Sequence, residues 1–272
     1  MTKNDILKTK LGDGQVALFY LGQEGFLIKY NDKYIITDAY LSDYVDRNCC
    51  SENVTWKRLY PAPIDPKELD FVDYVFCSHG HYDHADPDTL SAVASVNGKA
   101  KYIVPAPIAK QVASYGVPEC DIIAARDGDV IKLGEISAKV IPSAHEQINY
   151  DENGDCCEVG YRLQLGDISL YHAGDCCIYD GLSEQIGHAD IALLPVNGRD
   201  YYRLNVCDIV GNMDSREAVI LAESIGAQLL VPLHFDLYDC NRISAAQFTE
   251  YAFDSNVGFH IFKPGERYIF AK

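Results

Sequence analysis

The chain of 272 residues is 48% hydrophobic and 23% charged, and its 40 Asp+Glu against 23 Lys+Arg leave a formal charge of −17. Such an acidic balance argues against tracking a nucleic-acid backbone or an anionic membrane surface, since both need clustered Lys/Arg to displace counterions. Ordinary apolar content with 19 Tyr and 10 Phe argues against disorder, and no apolar run approaches the roughly 20 residues of a membrane helix, so a soluble cytoplasmic protein is expected.

Three strands are predicted first, at 16–20, 25–30 and 33–37, with Asn31-Asp32 turning the last pair as a hairpin. From Leu41 to Asp70 the pattern dissolves into a polar connection holding Trp56, Arg58 and Pro61, Pro63 and Pro66; a loop of that length is expected to be functional or part of an interface. Phe71–Cys77 reads as a buried strand. A helix follows, with Asp86 as N-cap, Pro87 at its first position and Leu90, Val93 and Val96 at helical spacing. A second helix is expected between Pro107 and Gly116.

Further strands are predicted at 101–104, 130–133, 136–141, 159–165, 168–172, 191–195 and 229–232, and short ones at 258–262 and 267–270. Asp214 with Glu217 and Ser244 with Gln247 each fit a capping box, and Gly226 stops the first of those helices. No repeat or linker is visible, so a single α/β domain over 1–272 is expected. Of the ten cysteines six stand as adjacent pairs, Cys49-Cys50, Cys156-Cys157 and Cys176-Cys177, which suits free and mostly buried thiols better than a disulfide framework.

The chemistry concentrates in Ser78-His79-Gly80-His81-Tyr82-Asp83-His84-Ala85-Asp86. Residues two apart in an extended segment face one way, so His79 and His81 can address one point, and the turn into the helix redirects Asp83 and His84 to a neighbouring one. Imidazole and carboxylate are ligands of zinc, manganese and iron, and the pattern suits two ions sharing a site.

His-x-His-x-Asp-His after an apolar strand resembles the signature of the metallo-β-lactamase superfamily. His145 after Val140–Ala144, Asp175 in Tyr171-His172-Ala173-Gly174-Asp175 and His234 in Val231–Asp236 follow in that family's order. The resemblance implies an αβ/βα sandwich, two mixed β-sheets flanked by helices. It implies one ion held by His79, His81 and His145, a second by Asp83, His84 and His234, and Asp175 between them.

Leu21–Ile28, Asp38–Asp43, Asn197-Gly198-Arg199-Asp200 and Gly211-Asn212-Met213 are further similar to the L-ascorbate-6-phosphate lactonase group. That group opens a sugar-acid phosphate lactone and commonly uses manganese, and the resemblance implies a homo-oligomer. The expected cofactor is therefore one or two divalent ions, Mn2+ or Zn2+, and the expected substrate a small phosphorylated anion.

On this reading metal-activated hydroxide attacks a lactone carbonyl. Asp83 can both ligate and receive a proton. His172 is a candidate for oxyanion contact or proton transfer and, equally, for a structural role. Arg199 offers a planar fork for phosphate, against the alternative of an ion pair with Asp200. Asn197, Tyr202 and Asn212 can add hydrogen bonds, and Arg58 or Arg203 can contribute from flanking loops. A phosphodiesterase acting on a small or cyclic phosphate is the alternative reading. Redox chemistry finds no appended flavin domain in its favour, and a scaffold role is disfavoured because every expected ligand position is filled.

Overall fold

The computed structural model describes residues 1–272. One sheet is built from β1 (Gln15–Gly22), β2 (Gly25–Tyr30), β3 (Lys33–Thr37), β4 (Tyr74–Phe76), β5 (Lys101–Pro105) and β6 (Ile122–Ala125). The other is built from β7 (Val130–Leu133), β8 (Ile136–Pro142), β9 (Val159–Leu165), β10 (Ile168–His172), β11 (Ile191–Pro195), β12 (Leu229–Leu233) and β13 (Gly258–Phe259). The C-terminal strand β14 (Arg267–Ala271) crosses back to pair with β1, which gives the orders β14-β1-β2-β3-β4-β5-β6 and β13-β12-β11-β10-β9-β8-β7. In each sheet the first four strands along one direction are antiparallel and the next three are added in parallel. The architecture is the α/β sandwich of two mixed sheets that the sequence implies. The repeated topology of the two sheets has no counterpart in the sequence, because strand order is fixed by packing and not by any one residue pattern.

The helices are α1 (Lys3–Leu7), α2 (Tyr44–Cys49), α3 (Pro87–Val96), α4 (Ala109–Ser114), α5 (Leu182–Ile186), α6 (Tyr201–Cys207), α7 (Ser215–Ser224) and α8 (Ala245–Ala252). None is long and apolar enough to cross a membrane. Along β1, Val16, Leu18 and Tyr20 face the other sheet, where they meet residues such as Leu163 and Val231. Ala17, Phe19 and Leu21 face outward beneath α3 and α4. Both faces of the strand are covered, which is why it reads as a continuous apolar run. The second sheet is closed on its outer face by α7 and α8 through residues such as Val219 and Phe248. Each fully buried aliphatic side chain contributes about 1.5–3 kcal/mol, so this core can hold strained loops at its edge.

Local signals account for most boundaries. Asp86 caps α3 by accepting from the Asp88 N–H, with Pro87 behind it, and Asp214 and Glu217 form a reciprocal capping box on α7. Four expectations are corrected. The strand expected over 71–77 is formed only at 74–76, and Phe71 packs edge-on against Tyr34. Val96 is exposed at the end of α3. Ser244 caps α8 by accepting from Ala246, without a box to Gln247. The strand expected over 258–262 pairs only at Gly258–Phe259. All ten cysteines are free, and four of them, Cys77, Cys156, Cys176 and Cys177, are buried.

Candidate metal centre

The ligand candidates leave the C-terminal ends of strands along one edge of the sandwich: His79, His81, Asp83 and His84 after β4, His145 after β8, Asp175 after β10 and His234 after β12. They fall into two groups, His79, His81, His145 and Asp175 in one and Asp83, His84 and His234 in the other, with ligand atoms inside 4.8 Å of one another in each. In the first, His79 Nε2 and His81 Nδ1 lie 2.9 Å apart, and Asp175 Oδ2 is 3.5 Å from His145 Nε2 and 4.0 Å from His79 Nε2. The other oxygen of the same carboxylate faces the second group, 3.4 Å from His84 Nε2 and 3.3 Å from His234 Nε2. Asp83 Oδ2 completes that group 3.6 Å from His234 Nε2. Asp175 therefore addresses both groups, one oxygen to each.

The donor set fits divalent ions on an observation independent of pattern. His84 Nε2 and Asp175 Oδ1 are both buried and neither has a hydrogen-bond partner within the protein. Orphaned polar atoms cost about 1–3 kcal/mol apiece unless something occupies the space between them. Burial pushes His145 down to about 4 and His79 well below the usual histidine range, so these imidazoles are neutral and offer lone pairs. Burial also works against charge on His84 and His234, yet the carboxylates of Asp175 and Asp83 outweigh it and raise both.

Neighbouring residues aim the ligands. Asp38, at the end of β3, accepts from the Ser78 N–H (2.7 Å), from the Ser78 hydroxyl (2.6 Å) and from His84 Nδ1 (2.9 Å), which directs His84 Nε2 at the site. The Gln23 amide donates to Asp83 Oδ2 (2.9 Å) and lies against the His234 ring. A Cβ on Gly174 would sit 2.4 Å from Ser78 Cβ, so only glycine lets β10 approach the histidine loop this closely. Six non-glycine residues have positive φ. Five of these, Gln23, Asp38, Glu146, Asp208 and His234, lie at or beside this centre or the cavity above it, and the sixth, Asn31, turns a hairpin. Backbone strain of about 1–3 kcal/mol per residue is thus concentrated where ligands are aimed.

Several expected site residues stand elsewhere. Both ring nitrogens of His172 are committed to backbone: Nε2 donates to the Glu24 carbonyl (2.9 Å) and Nδ1 accepts from the Gly174 N–H (3.1 Å). No nitrogen is left for proton transfer, so His172 braces the hairpin that carries Gln23. The Arg199 fork is closed on both oxygens of Glu217 (2.7 Å each) and on the Asn212 carbonyl (3.0 Å), so it is neither an anion anchor in the cavity nor a partner of Asp200. Asp200 pairs instead with Arg203, one helical turn on. Asn197 and Asn212 are fully buried and hydrogen-bonded to each other (3.1 Å), behind the cavity wall. Tyr202 is exposed on α6. Arg58 is directed at the carbonyls of Tyr40, Ser42 and Tyr60.

A cavity of about 470 Å³ opens over the centre, within the usual range for small-molecule sites. His81, Asp83, His145, Asp175 and His234 form its floor. Val45, Cys49 and Trp56 from the 41–70 connection form one wall, and Asp208, Ile209, Val210 and Asn241 another. The long polar connection therefore supplies part of the cavity wall. Sequence reasoning assigned no role to Asp38, Gln23 or Asn241. Asp38 carried a usable signal, a carboxylate closing an apolar strand in the same manner as the histidine loop; Asn241, in a polar stretch, carried none.

A family model described as a beta-lactamase superfamily domain matches residues 33–235, well over half of the chain. A UPF0173 metal-dependent hydrolase of Opitutus terrae is 26% identical over 256 residues, covering 92% of this chain and 98% of the relative. An uncharacterized protein of Mycobacterium tuberculosis is 26% identical over 230 residues, and the match spans 82% of this chain but only 59% of that longer relative. Among solved structures, Igni18, a metallo hydrolase of Ignicoccus hospitalis, superposes with a TM-score of 0.69 at 20% identity, covering 95% of this chain and 99% of that one.

Proposed function

The chain belongs to the metallo-β-lactamase superfamily, and from that premise we propose that it is a metal-dependent hydrolase that opens a carboxylic ester of the lactone type. The observation that supports this reading is the pair of ligand groups sharing Asp175 beneath an open cavity. Divalent ions held by these residues would supply Lewis acidity and lower the pKa of a bound water to about 7. Asp83, which lines the cavity and is oriented by the Gln23 amide, stands ready to take a proton from the attacking water. Its pKa is held low by the neighbouring imidazoles of His84 and His234 despite burial, so it is ionised at neutral pH. Asp175, held ionised by the neighbouring imidazoles, and His79 and His145, held neutral by burial, position the reacting centre together with His81.

Neither Lys nor Arg lines the cavity, so a phosphate seated away from the ligand set would have no cationic side chain to meet it. Metal analysis of the purified protein, followed by a lactone and ester panel assayed with Mn2+ and with Zn2+, tests the proposal. Chelation is expected to abolish turnover, and Asp83→Asn to lower kcat by about 10²–10⁴-fold. A protein that binds no divalent ion, or that hydrolyses no ester once loaded, would sink it.

A further inference from the structure

We propose that the cavity takes an uncharged, largely apolar lactone or ester, held flat against Trp56 and hydrogen-bonded by the side-chain amide of Asn241. This deepens the hydrolase reading and rests on it for the reaction, though not for the binding. Val45, Trp56, Ile209 and Val210 give the cavity apolar surface, and the only charged side chain in its wall apart from the ligand set is Asp208. Away from the ligand set, a phosphate or carboxylate group of a ligand would find no cationic side chain in the wall and one carboxylate, Asp208. Trp56 is fixed edge-on against Tyr238, with ring centroids 5.1 Å apart, so its indole is a rigid surface for a planar ligand.

The direction of the Asn241 amide follows from its neighbours. Arg203 Nη1 donates to Asn241 Oδ1 (2.9 Å), and a guanidinium can only donate, so the oxygen must be the end turned toward it. Asn197 Nδ2 donates to the same oxygen (3.0 Å), and Asn212 Nδ2 donates in turn to Asn197 Oδ1 (3.1 Å). The Asn212–Asn197–Asn241 chain is thereby oriented in one sense. Its last member has an NH2 group that makes no hydrogen bond within the protein, and it lines the cavity. A carbonyl or ring oxygen of an uncharged substrate is the acceptor this donor suits. Arg203 and Asn197 act through Asn241 as positioning residues.

Trp56 is the chain's one tryptophan, so binding can be read without turnover. Metal-free and metal-loaded protein are titrated with dihydrocoumarin, an uncharged aromatic lactone, and with gluconolactone 6-phosphate, following indole emission. Dihydrocoumarin is expected to quench saturably, with a half-saturation at least ten-fold below that of the phosphorylated lactone. Asn241→Asp, which keeps the partner of Arg203 but removes the NH2, is expected to raise the dihydrocoumarin half-saturation about ten-fold. Asp208→Lys is expected to narrow the preference between the two ligands at least ten-fold. Tighter binding of the phosphorylated lactone, or no quenching by dihydrocoumarin in either form, would overturn the proposal. Selective quenching with no turnover of any ester by the loaded protein would instead uphold this ligand class and remove the hydrolase reading.

Discussion

Asp38 and His172 show how differently a buried polar residue can serve the same centre. Asp38 holds one metal-facing imidazole through His84 Nδ1, so Asp38→Ala is expected to weaken metal binding about 10–100-fold while the sandwich stays folded, measured by competition with a chromogenic chelator. His172 binds backbone at both nitrogens. His172→Phe should lower stability by about 1–3 kcal/mol for each backbone group it orphans, and leave the pH dependence of kcat/KM unshifted. Loss of one limb of that profile would return His172 to the chemistry. The ligand candidates were legible because a His-x-His-x-Asp-His run has few other uses. His172 was ambiguous because a histidine's role is set by what its two nitrogens touch, which no linear pattern records. Arg199 was misjudged for a related reason: its partner Glu217 lies 18 positions away and is presented by the N-terminal turn of α7.

Among the secondary elements, those with a buried face or a cap were readable: the β1–β3 hairpins, α3 behind Asp86-Pro87, and α7 with its box. Helix α6 buries none of its residues, so Tyr201–Cys207 carries no apolar period to read, although it delivers Asp208 to the cavity wall. Where β10 and β11 begin, a different device operates. Asp190, fully buried, accepts from the Ser169 N–H (2.8 Å) and hydroxyl (2.9 Å), from Gln228 Nε2 (3.1 Å) and from Lys272 Nζ (3.1 Å). Burial opposes ionisation, but these donors and His188 hold the carboxyl down to about 2. A depressed carboxyl pKa stabilises the fold above its unfolded value near 4 and loses that contribution as pH falls toward 2. Asp190→Asn is therefore expected to cost about 2 kcal/mol at neutral pH, with the difference from wild type vanishing in acid, as followed by urea denaturation across that range.

The two sheets are joined through the space between them and, at one edge, through the ligand set. The first sheet supplies His79, His81, Asp83 and His84, and the second supplies His145, Asp175 and His234. An ion bound there ties one sheet to the other, so chelation should lower Tm as well as activity. At a free metal concentration a thousand-fold above Kd the stabilisation is about 4 kcal/mol, on the order of 10 °C for a chain of this size, readable by calorimetry with and without chelator. The chain carries a net charge of −17, and outside the ligand set the cavity lining adds one carboxylate, Asp208, and no Lys or Arg.

The topology repeated in the two sheets carries a consequence for construction. The chain passes from the first sheet to the second through the exposed turn Arg126–Asp129, and β14 returns from the second half to pair with β1. A break at Asp127-Gly128 would yield one piece with six of the first sheet's seven strands and another with the whole second sheet and β14, neither with a complete ligand set. Made separately, such pieces would be drawn together by the apolar core between the sheets and by β14 pairing with β1, and an ion held by ligands from both would add to that association.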